Sequence, residues 1–104
     1  MDASHRKPAV TRERLLDAAR TLGSRARLTL AQQLVLDAIA VSATRTEIAA
    51  QMSASVATVR DHIAAIAKKL EPDLREGARR GIERMVHDLA LREVGGGPMR
   101  GSPA

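Results

Sequence analysis

Apolar residues recur every three or four positions along most of this chain, and this spacing is the feature that most limits its fold. Two sets of residues follow one another at intervals of four, three and four: Val59, Ile63, Ile66 and Leu70, and then Ala78, Ile82, Met85 and Leu89. Such spacing places the side chains on one face of an α-helix. Alternating β-branched and aromatic residues are absent, and the chain has no aromatic residue at all. The pattern therefore predicts an all-α fold.

Capping residues divide the chain into five predicted helices. Thr29 with Gln32, and Thr44 with Glu47, fit the capping box, in which two side chains satisfy orphan backbone amides reciprocally. The second helix is therefore expected to begin after Thr29, with Leu34, Val35, Ala38 and Ile39 buried, and the third after Thr44. The remaining predicted boundaries are a first helix over 11–22 that Gly23 and Ser24 end, a fourth from Ser55 to Leu70 that Pro72 ends, and a fifth from Asp73 toward Val94.

Composition limits the domain organisation and the class of protein. The 104 residues suit one domain, with a flexible N-terminal arm over 1–10, a helical domain over 11–94 and a disordered, Gly- and Pro-rich tail over 95–104. The absence of cysteine excludes a disulfide scaffold and a thiolate metal site. No apolar run approaches the roughly 20 residues of a membrane span. We expect a bacterial, cytoplasmic protein that does not enter a membrane.

The net charge of +5 comes from 17 basic and 12 acidic residues, and it is unevenly distributed. Residues 1–28 carry seven basic and three acidic residues, residues 29–70 carry four and three, and residues 71–104 carry six of each. The excess therefore lies in the arm and the first helix. If the chain binds DNA, we expect four residues to supply much of the non-specific attraction: Arg6, Lys7, Arg25 and Arg27.

The third and fourth helices have the spacing of a helix-turn-helix. A short helix ends at Met52, a tight connection follows, and a longer helix begins at Ser55. The two helices must cross closely, and Ala49 is the small residue at the expected crossing. An Ala-rich helical hairpin with no role in DNA binding would have the same spacing.

The residue types in this segment are more specific than its spacing. The relevant residues are Leu28-Thr29, Thr46-Glu47-Ile48-Ala49, Ser55, Thr58-Val59-Arg60, His62, Ile66 and Lys69-Leu70. This pattern resembles the DNA-binding domain of the LuxR/GerE family over about residues 28–82, most specifically from Thr46 to Leu70. The chain departs from the family pattern in several places. Gln32 and Gln33 stand where Glu and Arg are usual, Val41-Ser42 stand where the family has a glycine after the second helix, and Asp61 stands where a basic or neutral residue is usual.

The resemblance implies a four-helix helix-turn-helix unit, here preceded by an extra N-terminal helix, with the fourth helix of the chain as the recognition helix. It implies that Thr58 binds phosphate and that Arg60, Asp61 and Ala64 lie toward base edges. The full set expected to contact DNA is Thr44, Arg45, Thr46, Ser55, Ala57, Thr58, Arg60, Asp61, Ala64 and Lys68. It also implies a homodimer that pairs through the last helix, at Ala78, Ile82, Met85 and Leu89.

Several of these residues have plainer interpretations. Arg60 could form an ion pair with Asp61 or Glu47 instead of binding a base. Of Lys68 and Lys69, one is expected to be ordinary surface. His62 lies beside the apolar stripe, where a packed, hydrogen-bonded histidine is the ordinary case. Gly77 and Gly81 indicate either a close helix approach or a frayed first turn.

The sequence contains no motif that is typical of an enzyme active site. The three histidines share no metal-ligand spacing, and no nucleophile–base pair or phosphate-binding glycine loop is present. We therefore expect no enzyme, no metal and no cofactor. The predicted function is a small stand-alone transcriptional regulator that binds double-stranded DNA as a dimer on a two-fold site. The alternative is an antiactivator or adaptor that docks on another transcription regulator; a fragment like region 4 of a sigma factor fits the residues less well.

Overall fold

Five α-helices make up the described part of the chain, and the all-α prediction is confirmed. The computed structural model describes residues 10–72 and 77–101, with side chains as far as residue 92. The helices are α1 (Arg12–Ala26), α2 (Leu30–Ala40), α3 (Arg45–Met52), α4 (Val56–Leu70) and α5 (Ala78–Gly101). These ranges contain no strand, and none of their helices is both long and apolar enough to cross a membrane.

Both predicted capping boxes are present. Thr29 Oγ1 accepts from the backbone amide of Gln32 at 3.1 Å, and the backbone amide of Thr29 donates to Gln32 Oε1 at 3.0 Å. Thr44 Oγ1 accepts from the Glu47 amide at 3.1 Å, and the Thr44 amide donates to Glu47 Oε1 at 2.7 Å. Each box satisfies two amides that the helix backbone leaves without a partner. Local sequence therefore sets the starts of α2 and α3.

The core lies between α1, α2, α4 and α5, while α3 packs mainly against α4. Its largest fully buried side chains are Val35, Leu36, Ile39, Ile48, Val59, Ile66, Ile82 and Val86. The predicted stripe on α4 is confirmed at Val59, Ile63 and Ile66, and that on α5 at Ile82 and Leu89. The other members, Leu70, Ala78 and Met85, are half-buried against the core. On α2 the prediction is wrong at Leu34, which is 54% exposed, and it missed Leu36, which is fully buried. Because α2 packs against α1, α4 and α5, its buried surface is wider than a single stripe and includes Leu36.

The predicted end of α1 is also wrong, because the helix continues through Gly23 and Ser24 to Ala26. Arg27 ends it in the left-handed conformation, with φ of 55°. Gly23 is buried against α2, and a Cβ atom there would lie 1.7 Å from Gln33 Oε1. Glycine at this position therefore allows a close approach of two helices and does not terminate one.

Polar contacts join α1 to α2. The side-chain nitrogen of Gln33, Nε2, donates to the Ala19 carbonyl at 3.2 Å and to Asp37 Oδ1 at 2.8 Å. Arg20 Nε lies 4.0 Å from the other Asp37 oxygen. Gln33 is one of the positions that depart from the LuxR/GerE pattern, and here its side chain holds the extra helix against the bundle.

The start of α5 and both ends of the chain differ from prediction. Gly77 is not helical and α5 begins at Ala78, so the fifth helix does not start at Asp73; residues 73–76 lie outside the described residues. The helix continues to Gly101, through most of the predicted tail over 95–104. Once a helix is formed, each further residue other than proline adds one hydrogen bond, so glycines weaken its continuation without forbidding it. Val10, placed in the predicted arm, packs against the core, and residues 1–9 lie outside the described range.

Candidate nucleic-acid interface

The connection between α3 and α4 is short and tightly bonded. Ser53 ends α3 in the left-handed conformation, with φ of 53°, and the Ala54 amide donates to the Ala49 carbonyl at 2.9 Å. Ser55 then caps α4, its Oγ accepting from the Thr58 amide at 3.1 Å. Only three residues separate the two helices, which is the length that a helix-turn-helix uses.

Buried apolar residues fix the crossing of α3 and α4. Ala49 is buried, as expected for the small residue where two helices approach. Ile48 of α3 and Val59 and Ile63 of α4 are all buried, and Met52 is partly buried against the same core. The two helices are in contact along this buried side and form one packed unit.

The opposite face of this unit is open to solvent. All ten residues predicted to contact DNA are exposed: Thr44, Arg45, Thr46, Ser55, Ala57, Thr58, Arg60, Asp61, Ala64 and Lys68. On α4 they follow the spacing of one helix face, opposite the buried stripe. We call the exposed residues 57, 60, 61, 64 and 68 the outer face of α4. The structure thus brings the α4 residues together and places the three α3 residues at the exposed start of the neighbouring helix.

Arg60 lies in the middle of the outer face of α4. Among the described residues it forms no ion pair, with Asp61 or with Glu47. The Glu47 carboxylate is instead engaged in the capping box of α3. The guanidinium of Arg60 is therefore available to a ligand.

At the start of α4, two hydroxyl groups lie together. Ser55 Oγ and Thr58 Oγ1 are 3.0 Å apart, and both residues are exposed. A hydroxyl has one proton to donate, so the group that accepts in this bond keeps its own proton for a further acceptor. This pair stands at the N-terminal end of the outer face of α4, beside the turn.

The two lysines near the end of α4 have different surroundings. Lys69 Nζ donates to Gln32 Oε1 at 2.8 Å and so joins α4 to the start of α2. Lys68 is exposed on the outer face, and no contact of its ammonium group is found in the described part of the chain. Lys69 is therefore the structural residue of the two.

The basic residues expected to give non-specific attraction are only partly visible. Arg6 and Lys7 lie outside the described residues. Arg25 and Arg27 are both exposed at the end of α1, and Arg25 lines a shallow groove together with Lys69 of α4. The end of the extra helix therefore adds positive charge beside the end of α4.

The predicted dimer face is not a free surface. Ile82 is fully buried and Leu89 is buried in the core of the single chain, while Ala78 and Met85 are half-buried against that core. These residues pack within the bundle because α5 lies against α1, α2 and α4. A dimer that pairs through all four of them does not fit this structure. The sequence pattern could not reveal that the extra helix α1 packs against α5.

The remaining candidate residues give no second site. His62 is half-buried and His87 is exposed, while His5 lies outside the described residues. Within residues 10–72 and 77–92, no three histidine or acidic side chains are close enough to hold a metal ion. Gly81 is buried on α5, whereas a Cβ atom on Gly77 would meet nothing within 4 Å. These histidines and glycines therefore add no second candidate site to the α3–α4 unit.

Comparison of the chain with protein-family models, with curated proteins and with solved structures found no match. The resemblance to the LuxR/GerE family therefore stays a prediction that depends on the quoted residues. The geometry of α3 and α4 and the exposed face of α4 are what remain to support a function.

Proposed function

We propose that this protein binds double-stranded DNA by placing α4 in the major groove, and that it acts as a small transcriptional regulator associated with the nucleoid. The observation that carries this proposal is the α3–α4 unit: a short bonded turn, a buried Ala49 where the sequence predicts the crossing, and an exposed outer face on the second helix. In DNA-binding proteins with this arrangement, the second helix contacts base edges while the first helix crosses the sugar-phosphate backbone.

The shape of the outer face of α4 suits a groove. Ala57 and Ala64 lie on either side of Arg60 along the helix, and all three residues are exposed. Small side chains allow the helix backbone to approach the floor of the major groove, which is about 12 Å wide. The long Arg60 side chain then extends beyond the two alanine side chains and can reach the base edges.

The chemistry of the same face favours a G·C-containing site. A guanidinium group binds O6 and N7 of guanine with two hydrogen bonds, and a carboxylate accepts from N4 of cytosine. Arg60 and Asp61 offer these groups at adjacent positions. Phosphate repels the Asp61 carboxylate, so this residue favours base contact over backbone contact. The Ser55 and Thr58 hydroxyls are 3.0 Å apart, and the one that accepts in their mutual bond can donate its proton to a phosphate at the edge of the groove.

Pairing of two copies on a two-fold site is part of the proposal, but we do not assign it to Ile82 or Leu89, because both are buried in the single chain. Two copies on one duplex would place their recognition helices about one helical turn apart. An enriched inverted repeat with half-sites about 10–10.5 base pairs apart would therefore report the pairing directly.

The proposal is tested by selecting bound duplexes from random DNA with the full chain, at a low and a high salt concentration. We expect enrichment of one preferred sequence and weaker binding at high salt, because bound phosphates release counterions. If low salt yields no enriched sequence, the proposed function is wrong.

A protein-docking adaptor is the second candidate, and the exposed leucines of α2 favour it. Leu30 is 80% exposed and Leu34 is 54% exposed, one helical turn apart, and such neighbouring apolar side chains are typical of protein contacts. The net charge of residues 29–70 is only +1. Recovery of a DNA-binding regulator by the wild-type chain, but not by Leu34→Asp, would support this function if the chain alone has no DNA affinity at low salt.

A further inference from the structure

A basic groove lies between the start of α3 and the start of α5. Three arginines and one glutamate line it, together with Gly77 and Ala78: Arg45, Arg79, Arg80 and Glu83. The spacing of residues along α5 does not reveal this groove, because the relation of its arginines to α3 depends on how the chain folds. We call this feature the α3–α5 groove.

One of the three arginines has a structural role. Arg79 donates to the Ala43 carbonyl and, from Nε, to Glu83 Oε2 at 3.1 Å. Its side chain is only 19% exposed. The Ala43 carbonyl immediately precedes Thr44, the N-cap of α3, so Arg79 fixes the start of α3 against α5 and also compensates the charge of Glu83.

The other two arginines remain open to solvent. Arg45 and Arg80 are exposed, and no ion pair of either is found in the part of the chain that the structure describes. With Arg79 paired to Glu83, these two guanidinium groups give the α3–α5 groove its uncompensated positive charge. Gly77 adds no side chain, and the space where a Cβ atom would lie is open, so a ligand can reach both arginines.

The position of the groove relates it to the proposed DNA complex. When a recognition helix enters the major groove, the preceding helix crosses the sugar-phosphate backbone. Arg45 is the first residue of α3, so a groove that it shares with Arg80 lies next to that backbone. Guanidinium groups bind phosphate with two hydrogen bonds in a plane.

We propose that Arg80 binds a backbone phosphate of the same duplex, beside a second phosphate bound by Arg45, so that α5 extends the DNA-contacting surface beyond the helix-turn-helix. This inference rests on the proposed function. It assigns to Arg80 a contact that influences affinity and salt dependence but carries no sequence information, because phosphates are the same at every site.

The test compares Arg80→Ala with wild-type protein on the selected duplex, with affinity measured by fluorescence anisotropy over a series of salt concentrations. Loss of one phosphate contact lowers the slope of log K against log salt by about 0.9, and the Arg45→Ala/Arg80→Ala double variant lowers it by about 1.8. The preferred sequence is expected to stay the same. Arg92→Ala is the matched control, since Arg92 is an exposed arginine on the same helix that lines a groove away from α3.

Each outcome decides between the two proposals. If the wild-type chain selects a sequence but Arg80→Ala keeps the wild-type salt slope, or changes it no more than Arg92→Ala does, the role of Arg80 is wrong and the proposed function stands. If the wild-type chain binds no duplex at low salt, both proposals fail.

Discussion

The Lys69 ammonium group donates a hydrogen bond to Gln32 Oε1 at 2.8 Å, joining the last turn of α4 to the first turn of α2. The same oxygen accepts from the Thr29 amide at 3.0 Å, so one buried glutamine side chain belongs to the cap of α2 and to the contact with α4. The adjacent residue, Lys68, is exposed on the outer face of α4. Two neighbouring lysines of α4 thus have different surroundings.

Replacing Lys69 by alanine is expected to lower the free energy of unfolding by about 1 kcal/mol, the usual net value of a hydrogen bond between helices. Lys68→Ala is the matched control and should change stability by less than about 0.5 kcal/mol, because it removes an exposed side chain. Urea denaturation followed by circular dichroism measures both. Equal losses in the two variants would show that Lys69 is not the structural residue of the two.

Replacing Gly23 by alanine is expected to destabilise the protein by roughly 1 kcal/mol. The added methyl group would displace the Gln33 side chain from the Ala19 carbonyl and from Asp37, a loss of about 2 kcal/mol for two hydrogen bonds. The higher helix propensity of alanine offsets about 1 kcal/mol of this loss in stability.

The control for this prediction is the same Gly23→Ala substitution made in a chain that also carries Gln33→Ala. In a Gln33→Ala chain the obstacle to the Cβ atom is removed, so Gly23→Ala should there be neutral or stabilising, by up to about 1 kcal/mol. Thermal and urea unfolding of the four proteins give the coupling between the sites. The same destabilisation in both backgrounds would show that Gln33 is not what requires glycine.

Arg79 and Arg80 form a matched pair of neighbouring arginines with different expected effects. Arg79→Ala removes the bonds to the Ala43 carbonyl and to Glu83 and should lower the free energy of unfolding by about 1–3 kcal/mol. Arg80→Ala should leave stability within about 0.5 kcal/mol of the wild type. Lysine at position 79 should restore only part of the loss, since it lacks the planar guanidinium fork. A stability loss at Arg80 as large as that at Arg79 would refute this division.

Features that depend on neighbouring residues could be predicted from the sequence. Both capping boxes involve side chains three residues apart, and the buried stripe of α4 repeats within one helix. The turn from Ser53 to Ser55 and the exposure of the outer face of α4 follow from the same local pattern. For these features, the interactions that determine the structure are all contained in a short segment.

Features that depend on distant residues could not be predicted. The role of Gly23 is set by Gln33 in another helix, and that of Arg79 by a carbonyl 36 residues away. The LuxR/GerE resemblance implied a dimer through the last helix, but Ile82 and Leu89 are covered within the chain, where α1, α2 and α4 pack against α5. An apolar stripe shows that a surface is covered, and only the fold shows what covers it.

The central claim, that the outer face of α4 contacts bases, is tested most directly by the base preferences of Arg60→Ala. Selections from random duplexes would compare this variant with the wild type and with Arg14→Ala, which removes an exposed arginine of α1. We expect Arg60→Ala to weaken binding to the preferred sequence by roughly 1–3 kcal/mol and to lose the preference at one base position of each half-site, while Arg14→Ala keeps it. An Arg60→Ala profile identical to that of the wild type at every position would contradict the claim.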